Sequence, residues 1–254
     1  MQLYAPADLD QLQRDLPYLM KATEWVRSFL AKPHPSLGRS GPVCPFLPRA
    51  LQLDSIQLAT IHTKGVDQQA IEDIVKHYRN IFLELEPQNG ELAIYKSLLL
   101  IFPDVSEAEA PVLIDGIQQK LKPFFVEEGL MIGEFHQGSN SPGLHNPNFY
   151  PLRSPVPMLA IRFMTEADLP FLQKVTDQPH LRIKYLEAYL QRLSTVIVDK
   201  TKLAKAQEAL AQARLEQVGI LPQPEQPHQS QPEQPKRSQS ARKCPFARLA
   251  QVFG

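Results

Sequence analysis

Apolar side chains recur at steps of three and four along several stretches of this chain, the spacing that gathers them on one face of an α-helix. This pattern predicts a helix over residues 6–31, bent at Pro17. A second helix follows Asp67, whose carboxylate is suited to cap a first turn, and ends near Pro87. The same spacing predicts another packed helix over residues 181–198.

One more helix is marked at both ends. Ser106 and Glu109 have the spacing of a capping box, in which each side chain accepts from the other residue's backbone N–H. An amphipathic stretch follows, and Gly129 is the kind of residue that most often ends a helix. We therefore expect a helix between these signals.

Other segments have the patterns of β-strands. Alternation over Leu51–Thr63 predicts a strand with a bulge near Asp54. The continuous apolar run within Ile94–Phe102 indicates a central strand that is covered on both faces, and Leu130–His136 and Met158–Met164 add two more. Two α/β units and a final strand predict an α+β fold: a four-stranded sheet with helices mainly on one face, ferredoxin-like or related.

The 254 residues, 43% of them hydrophobic, are enough for one sizeable core. We expect a single α+β domain over residues 1–198, followed by an exposed helical extension over 199–218, where the apolar stripe is thin. Residues 219–240 are rich in proline and glutamine and are expected to form a disordered linker. Residues 241–254 are basic and apolar, which is typical of a docking peptide.

The overall charge is balanced, with 27 basic and 27 acidic side chains. Such a chain has no general field for nucleic acid, so no specific nucleic-acid binding is expected. Residues 1–20 lack the basic start and apolar core of a signal peptide, and no apolar run reaches the roughly 18 residues of a membrane span. Two cysteines in a chain of this size suggest reduced thiols, so we expect a cytoplasmic protein.

The connection between the last two strands is far longer than a hairpin needs, which is typical of functional or disordered loops. His136 and His145, at and within this 136–157 loop, are candidates for a general base or a metal ligand. Asn146 could orient a ligand, and Arg153 could bind an anion. Alternatively, the loop prolines form a rigid lid whose polar side chains satisfy its own backbone.

A second loop, Lys32–Pro48, contains five prolines, and we name it the Cys44 loop. Arg39 is a further anion-binding candidate there, although an exposed loop arginine is the safer interpretation. Cys44 could act as a nucleophile if the fold placed it beside His136 or His145. We expect the two loops to meet and to form one ligand site.

The tripeptide Cys-Pro-Phe occurs at Cys44 and again at Cys244. A Cys-Pro pair resembles the short haem-regulatory motif, in which a thiolate ligates the haem iron and proline turns the chain away. Both cysteines are therefore haem-ligand candidates. The structural alternatives are a buried thiol beside a turn for Cys44 and an exposed thiol for Cys244.

Other polar residues have simpler explanations. His62 and His77 are expected to be structural histidines. Glu127 and Glu128 resemble a solvated helix end, so an acid–base pair with Glu134 is a weaker interpretation. The glycines have neither the spacing of a dinucleotide fingerprint nor that of a P-loop.

Two motifs carry a family resemblance: GPVCPF at residues 41–46 and GLHNPNFYPLRSPVPMLAIR at residues 143–162. With them the chain resembles an uncharacterised bacterial domain-of-unknown-function family over about residues 20–195. The resemblance implies one bacterial domain and brings no catalytic assignment.

Two functions remain open at this point. The first is a domain that handles a small ligand, either by binding haem or as a small-molecule enzyme, with a site formed by the Cys44 loop and the 136–157 loop. The second is a non-catalytic adaptor that recruits a protein partner or a membrane surface through Lys243–Phe253. Whether the protein is an enzyme stays open.

Overall fold

The computed structural model describes residues 6–174 and 176–220, which begin with a long helix. Helix α1 (Pro6–Trp25) contains Pro17 and continues into one π-helical turn, Val26–Leu30. Its inner side buries apolar residues at helical spacing, among them Ala22 and Val26. The predicted helix over residues 6–31 is therefore present, and its last turn is wider than an α-helical turn.

The predicted strand over Leu51–Thr63 is wrong in its first part. A short helix, α2 (Leu47–Gln52), occupies that stretch, with Pro48 in its first turn, where the missing N–H costs little. The chain then turns at Asp54, whose φ of 51° is left-handed, so the expected bulge is a helix exit. Strand β1 starts only at Ile56 and runs over Ile56–Thr60.

The central elements alternate between strand and helix and end in two consecutive strands. After β1 they are α3 (Gln68–Glu84), β2 (Ser97–Ile101), α4 (Ala110–Val126), β3 (Leu130–Phe135) and β4 (Met158–Phe163). The sheet order is β1-β2-β4-β3, with β1 parallel to β2 and β4 antiparallel to both of its neighbours. The predicted α+β fold with a four-stranded sheet is confirmed. Its β-α-β-α-β-β connectivity differs from the β-α-β-β-α-β order of ferredoxin-like folds.

Helices α3 and α4 cover the same face of the sheet, which we call the α4 face. Both crossovers step in one direction across the sheet, and such connections are right-handed in nearly all proteins, so both helices must lie on one side. Ile71 and Val75 of α3 share a core with Ile114 and Ile117 of α4. The strands contribute alternate residues to this core: Leu98, Leu100, Leu130, Ile132, Leu159, Ile161 and Phe163.

The helix start signals of α3 and α4 are satisfied as predicted. The Asp67 carboxylate accepts from the Ala70 N–H at 2.9 Å. The Glu109 carboxylate accepts from the Ser106 N–H at 3.0 Å, and the Ser106 hydroxyl lies 3.4 Å from the Glu109 N–H. Gly129 follows α4 with a φ of 69°, which favours glycine.

The second face of the sheet, called the α1 face, is covered by α1, the π turn and the Cys44 loop. The strand residues of opposite parity point to it, including Leu99, Ile101 and Met158. Val26 packs on these side chains, and Cys44 lies at the margin of the same cluster. The sheet is thus covered on both faces, which explains the continuous apolar run of β2.

Three C-terminal helices form a third apolar cluster beside α4 and β3. They are α5 (Leu169–Leu172), α6 (Pro179–Leu193) and α7 (Lys200–Gln217). The expected exposed extension over 199–218 is helical, but α7 is not exposed throughout. Small and apolar residues at helical steps, Ala206, Leu210 and Ala213, bury one side of it against α6. The stripe is thin because alanines let the two helices approach closely.

The predicted linker and docking peptide lie almost entirely outside the described residues, which end at residue 220. Both remain predictions from composition. Within the described ranges, none of the helices combines the length and the hydropathy that a membrane crossing would require.

Candidate functional site

The Cys44 loop and the 136–157 loop are in contact. The His34 and Phe149 rings stack with their centroids 4.7 Å apart, and the Asn146 side-chain amide donates to the Ser36 carbonyl at 2.8 Å. His145 is exposed at this junction, and its backbone carbonyl lies against Gly38. Asn146 therefore holds the two loops together.

Both loop arginines bind their own backbone. Arg39 donates to the carbonyls of Ser40 and Val43 at 2.9 and 3.0 Å. Arg153 donates to the Ser139 carbonyl at 2.9 Å. For Arg153 these contacts match the alternative in which polar side chains satisfy the backbone of the loop, whereas Arg39 is half-buried and not the exposed loop arginine of its alternative.

Cys44 and His136 lie on opposite sides of the sheet. The thiol is half-buried among the residues of the α1 face, and the Cys44 N–H donates to the Leu30 carbonyl at 2.8 Å. His136 instead contacts α4, which covers the other face. The hypothesis of a Cys44 nucleophile activated by His136 is therefore wrong. Cys244, the second haem-ligand candidate, lies outside the described residues.

His136 and Asp115 form a buried pair where β3 ends beside α4. The His136 side chain is 1% exposed, and its Nε2 lies 2.9 Å from the Asp115 Oδ1. Since a carboxylate only accepts hydrogen bonds, Nε2 must carry the proton of this bond. In the neutral ring Nδ1 then holds a lone pair.

The other ring nitrogen of His136 has no partner. Nδ1 is fully buried, and no described residue makes a hydrogen bond with it. It faces the turn after β3: a Cβ built on Gly138 would lie 3.5 Å away. A buried polar atom without a partner is uncommon and costs about 1–3 kcal/mol. The missing partner of such an orphan is a bound water or a ligand.

Glu134 adds a second carboxyl group to this corner of the molecule. It precedes His136 by two residues, so both side chains point to the α4 face. Burial raises the pKa of Glu134, and the negative charge of Asp115 raises it further. The Ser141 hydroxyl donates to the Glu134 carboxyl at 3.2 Å. The corner thus joins a lone-pair nitrogen to a carboxyl group that retains its proton more readily than usual.

The sequence pattern singled out His136 but not Asp115. Asp115 belongs to a polar stripe on the otherwise apolar helix α4, at the steps of three and four that place it with Gln118 and Lys122. The Gln118 amide donates to the Ile132 carbonyl at 3.0 Å, and Lys122 donates to the Phe171 carbonyl at 3.0 Å. This polar stripe is visible in the sequence, and it could have indicated that one side of α4 makes polar contacts with β3.

No metal cluster accompanies these residues in the part of the chain that the structure describes. Across residues 6–174 and 176–220, no group of three or more histidine, cysteine, aspartate or glutamate side chains is placed to hold a metal ion. A shallow groove runs along α1, lined by residues such as Leu16, Met20 and Arg27, and it contains none of the candidate site residues. The orphaned His136 nitrogen is therefore the strongest chemical feature.

The fold and this corner define an α+β domain with a buried histidine–carboxylate pair. The chain belongs to the family described as Domain of unknown function (DUF6875), whose profile matches residues 19–204. The match includes the whole sheet and the His136–Asp115 pair, and it confirms the resemblance to a family of unknown function. No curated protein and no solved structure is significantly similar to the chain.

Proposed function

We propose that this protein is a small-ligand-handling domain whose ligand contacts His136 in the corner between β3 and α4. The observation that carries the proposal is the buried Nδ1 of His136, which no described residue satisfies. The expected setting is the bacterial cytoplasm. The site expected from the sequence was formed by both loops. The site proposed here includes the 136–157 loop but not the Cys44 loop.

The pair defines what the ligand must offer. With Nε2 bonded to Asp115, the His136 Nδ1 accepts, so a suitable ligand presents an O–H or N–H donor. A carboxylate that fixes one ring nitrogen also orients the other for proton abstraction or for coordination of a metal such as haem iron. The His136 side chain is only 1% exposed, so a small donor-bearing molecule fits this corner better than haem.

Glu134 gives the corner a second chemical capacity. A carboxyl group with a raised pKa can donate a proton while His136 accepts one, the arrangement of a general acid beside a general base. Binding is the function proposed here, and acid–base turnover is its natural extension.

The test is native mass spectrometry of the full chain purified from its own host. We expect a bound small molecule on the wild-type protein and its loss in His136→Gln, which keeps a polar side chain but removes the lone-pair geometry. His145→Gln is the matched control, since His145 is exposed in the same loop, and it should retain the ligand. A ligand-free wild-type protein, or equal retention in both variants, would reject the proposal.

The absorbance spectrum of the same preparation separates haem from other ligands. A Soret band would assign haem, and its change in Cys44→Ala or in His136→Gln would identify the protein ligand to iron. No Soret band together with a bound organic molecule would assign the donor-bearing class.

The second candidate function is the adaptor, and the composition of the C-terminal peptide favours it. Basic side chains alternate with large apolar ones over Lys243–Phe253, with no acidic residue among them. Residues 219–254 fused to an inert carrier should bind a protein partner in pull-down or anionic vesicles in a salt-dependent way. Binding no greater than that of the carrier would exclude this role.

A further inference from the structure

The two edges of the sheet are protected to different degrees. At the β3 edge, the Gln118 side chain caps the Ile132 carbonyl, and the Glu134 carboxyl group accepts from its own backbone N–H. Side chains thus form hydrogen bonds with backbone groups of β3 that would otherwise be free to pair with another strand. Natural sheets block their edges in such ways because an open edge is a template for pairing.

The β1 edge has no such protection. Its five residues, Ile56–Thr60, include no charged residue, proline or glycine. The Ser97 N–H donates to the Ser55 carbonyl at 3.0 Å, and the Ile61 N–H donates to the Ile101 carbonyl at 2.8 Å. Odd-numbered residues of β1 therefore face β2, and the backbone groups of Leu58 and its even-numbered neighbours face outward. Among the described residues nothing beyond the sheet bonds to them.

Helix α1 extends beyond this open edge. Its Asp15 accepts from the Thr60 hydroxyl at 2.7 Å, and its Trp25 contacts the Phe135 ring of β3 with centroids 5.7 Å apart. The helix therefore crosses the sheet from β1 to β3, and Asp15 lies at β1, the edge strand. Gln11 still contacts His62 just after β1, so only residues 6–10 extend past the edge, as an overhang of about 7 Å.

Helix α1 and the edge strand together expose apolar side chains. Leu9 and Leu16 of α1 are 56% and 53% exposed, and Leu58 of β1 is 38% exposed. Leu58 points to the α1 face, since it alternates with Thr60, which bonds to α1. The open strand and the exposed leucines of α1 thus meet at one corner of the domain.

We propose that this corner binds a second copy of the chain, by antiparallel pairing of β1 with β1 around a two-fold axis. Charge supports a self-complementary contact. Asp54 precedes β1 and Lys64 follows it, and both are exposed. In an antiparallel pair each Asp54 lies near the partner's Lys64, whose only ion-pair partner among the described residues is Asp104, at 4.0 Å. The charges at the strand ends therefore attract in this orientation and repel in a parallel one.

The overhang supplies the area that strand pairing lacks. A stable interface buries about 800 Å² on each partner, more than one five-residue strand provides. In the two-fold arrangement each α1 overhang covers the partner's α1 face beside Leu58. The result is a continuous eight-stranded sheet under two crossing helices.

The test is the mass of the full chain in solution, by light scattering coupled to size exclusion over a wide range of concentration. The wild type should reach twice the 28.7 kDa chain mass. Leu58→Pro should remain monomeric: the Leu58 N–H faces outward, so proline keeps the β1–β2 ladder and blocks only the new pairing. Leu58→Lys should weaken the dimer, and Leu144→Lys, at a loop leucine that is 56% exposed, should not.

Each outcome decides the matter. A wild type that stays monomeric at every concentration overturns the proposal. So does a dimer that survives in both Leu58 variants, because its interface then lies elsewhere. Fluorescence of Trp25, the single tryptophan of the chain, verifies that each variant is folded. If Leu58→Pro fails this check, Leu58→Lys decides alone.

Discussion

Gly38 has a left-handed backbone, with a φ of 77°, and lies directly against the other loop. A Cβ at this position would come within 2.6 Å of the His145 carbonyl oxygen, closer than any real contact. Only a glycine satisfies both demands, which ties the Cys44 loop to the 136–157 loop through one residue.

The substitution Gly38→Ala should therefore push the two loops apart. We expect it to lower the free energy of unfolding by roughly 2–4 kcal/mol, the sum of a left-handed alanine and an overpacked contact. Gly65→Ala is the matched control: its φ is 74°, but no atom lies within 4 Å of the added Cβ, so only about 1 kcal/mol is expected. Equal losses in urea denaturation would show that the loop contact contributes nothing.

The placement of His136 shows what the sequence can and cannot predict about the site. Strand parity alone puts His136 on the same side as Ile132, the side that helix α4 covers in the structure. That reasoning separates His136 from any residue on the opposite face. The position of Cys44 was not predictable, because a proline-rich loop has no periodicity from which to infer a face.

At the scale of elements, two ion pairs join α6 to α7. Arg182 and Glu216 form one of them in the interior, with side chains 5% and 1% exposed, and Gln212 also donates to Glu216 at 3.1 Å. Arg214 and Glu187 form the other at the surface, 2.8 Å apart. The two pairs have similar chemistry and very different burial.

Glu216→Ala should destabilise the protein by about 3–5 kcal/mol, because it leaves the Arg182 charge buried without a partner. Glu187→Ala should cost about 0–1 kcal/mol, since water replaces an exposed carboxylate readily. Chemical denaturation of both variants measures the difference. Similar losses would mean that α7 packs loosely and that Arg182 reaches solvent.

A chain of polar contacts attaches α1 to the end of β1. His62 lies between two carboxylates, with Nε2 3.0 Å from Asp15 and Nδ1 3.1 Å from Asp104. His62 is thus structural, as its position in the sequence suggested, and it links α1 to the loop after β2.

Asp104 makes this attachment sensitive to acid. Burial alone would raise the pKa of Asp104, but hydrogen bonds from the Thr63 N–H and from His62 outweigh it, and the pKa is lowered. A lowered pKa contributes stability above the unfolded value of about 3.9, and this stability is lost as the pH falls through the folded value. Protonation of Asp104 should therefore loosen α1 in acid.

Asp104→Asn should remove part of that acid dependence. We expect a loss of roughly 1–2 kcal/mol at neutral pH and a flatter decline below about pH 4 than in the wild type. Unfolding followed by Trp25 fluorescence at several pH values measures both effects. Asp73→Asn is the control, since Asp73 is an exposed carboxylate with a lowered pKa but with no contact to α1. If stability declines in acid as steeply in Asp104→Asn as in the wild type, Asp104 is not the group responsible.

For the molecule as a whole, two buried tyrosines limit stability in alkali. Burial raises the pKa of both Tyr185 and Tyr189 to about 12, and the nearby carboxylates Asp177 and Glu166 add to the respective shifts. A raised folded pKa gives stability that is complete below the unfolded value near 10 and is lost as the pH rises through the folded value. The C-terminal cluster should therefore fail first in strong base.

We expect the free energy of unfolding to fall between about pH 10 and pH 12. Tyr185→Phe should flatten this decline, because the group that must ionise is gone, whereas Tyr18→Phe, at a more exposed tyrosine, should leave it unchanged. Comparison with the wild type at each pH separates the tyrosine from lysines that titrate in the same range. Identical pH curves for the two variants would count against Tyr185.

The fold class was predictable because periodicity is local. The apolar steps of α3 and α4 and the solid run of β2 identify those elements without any knowledge of the rest. The segment around Leu51 was not, since Leu47, Ala50 and Leu51 also match helical steps and a short apolar run satisfies either pattern. Sheet order was beyond prediction, because no local signal shows that β4 lies between β2 and β3.

The position of β4 between β2 and β3 has a consequence for the chain during its synthesis. Ile101 of β2 pairs with Met158 of β4, and β3 touches the sheet only through β4. On the ribosome, β1, α3, β2, α4 and β3 all emerge before the strand that unites them. Until residue 163 has left the exit tunnel, the apolar edge of β2 that pairs with β4 remains unpaired. Chaperone capture is therefore expected to be strongest on nascent chains that stop short of β4.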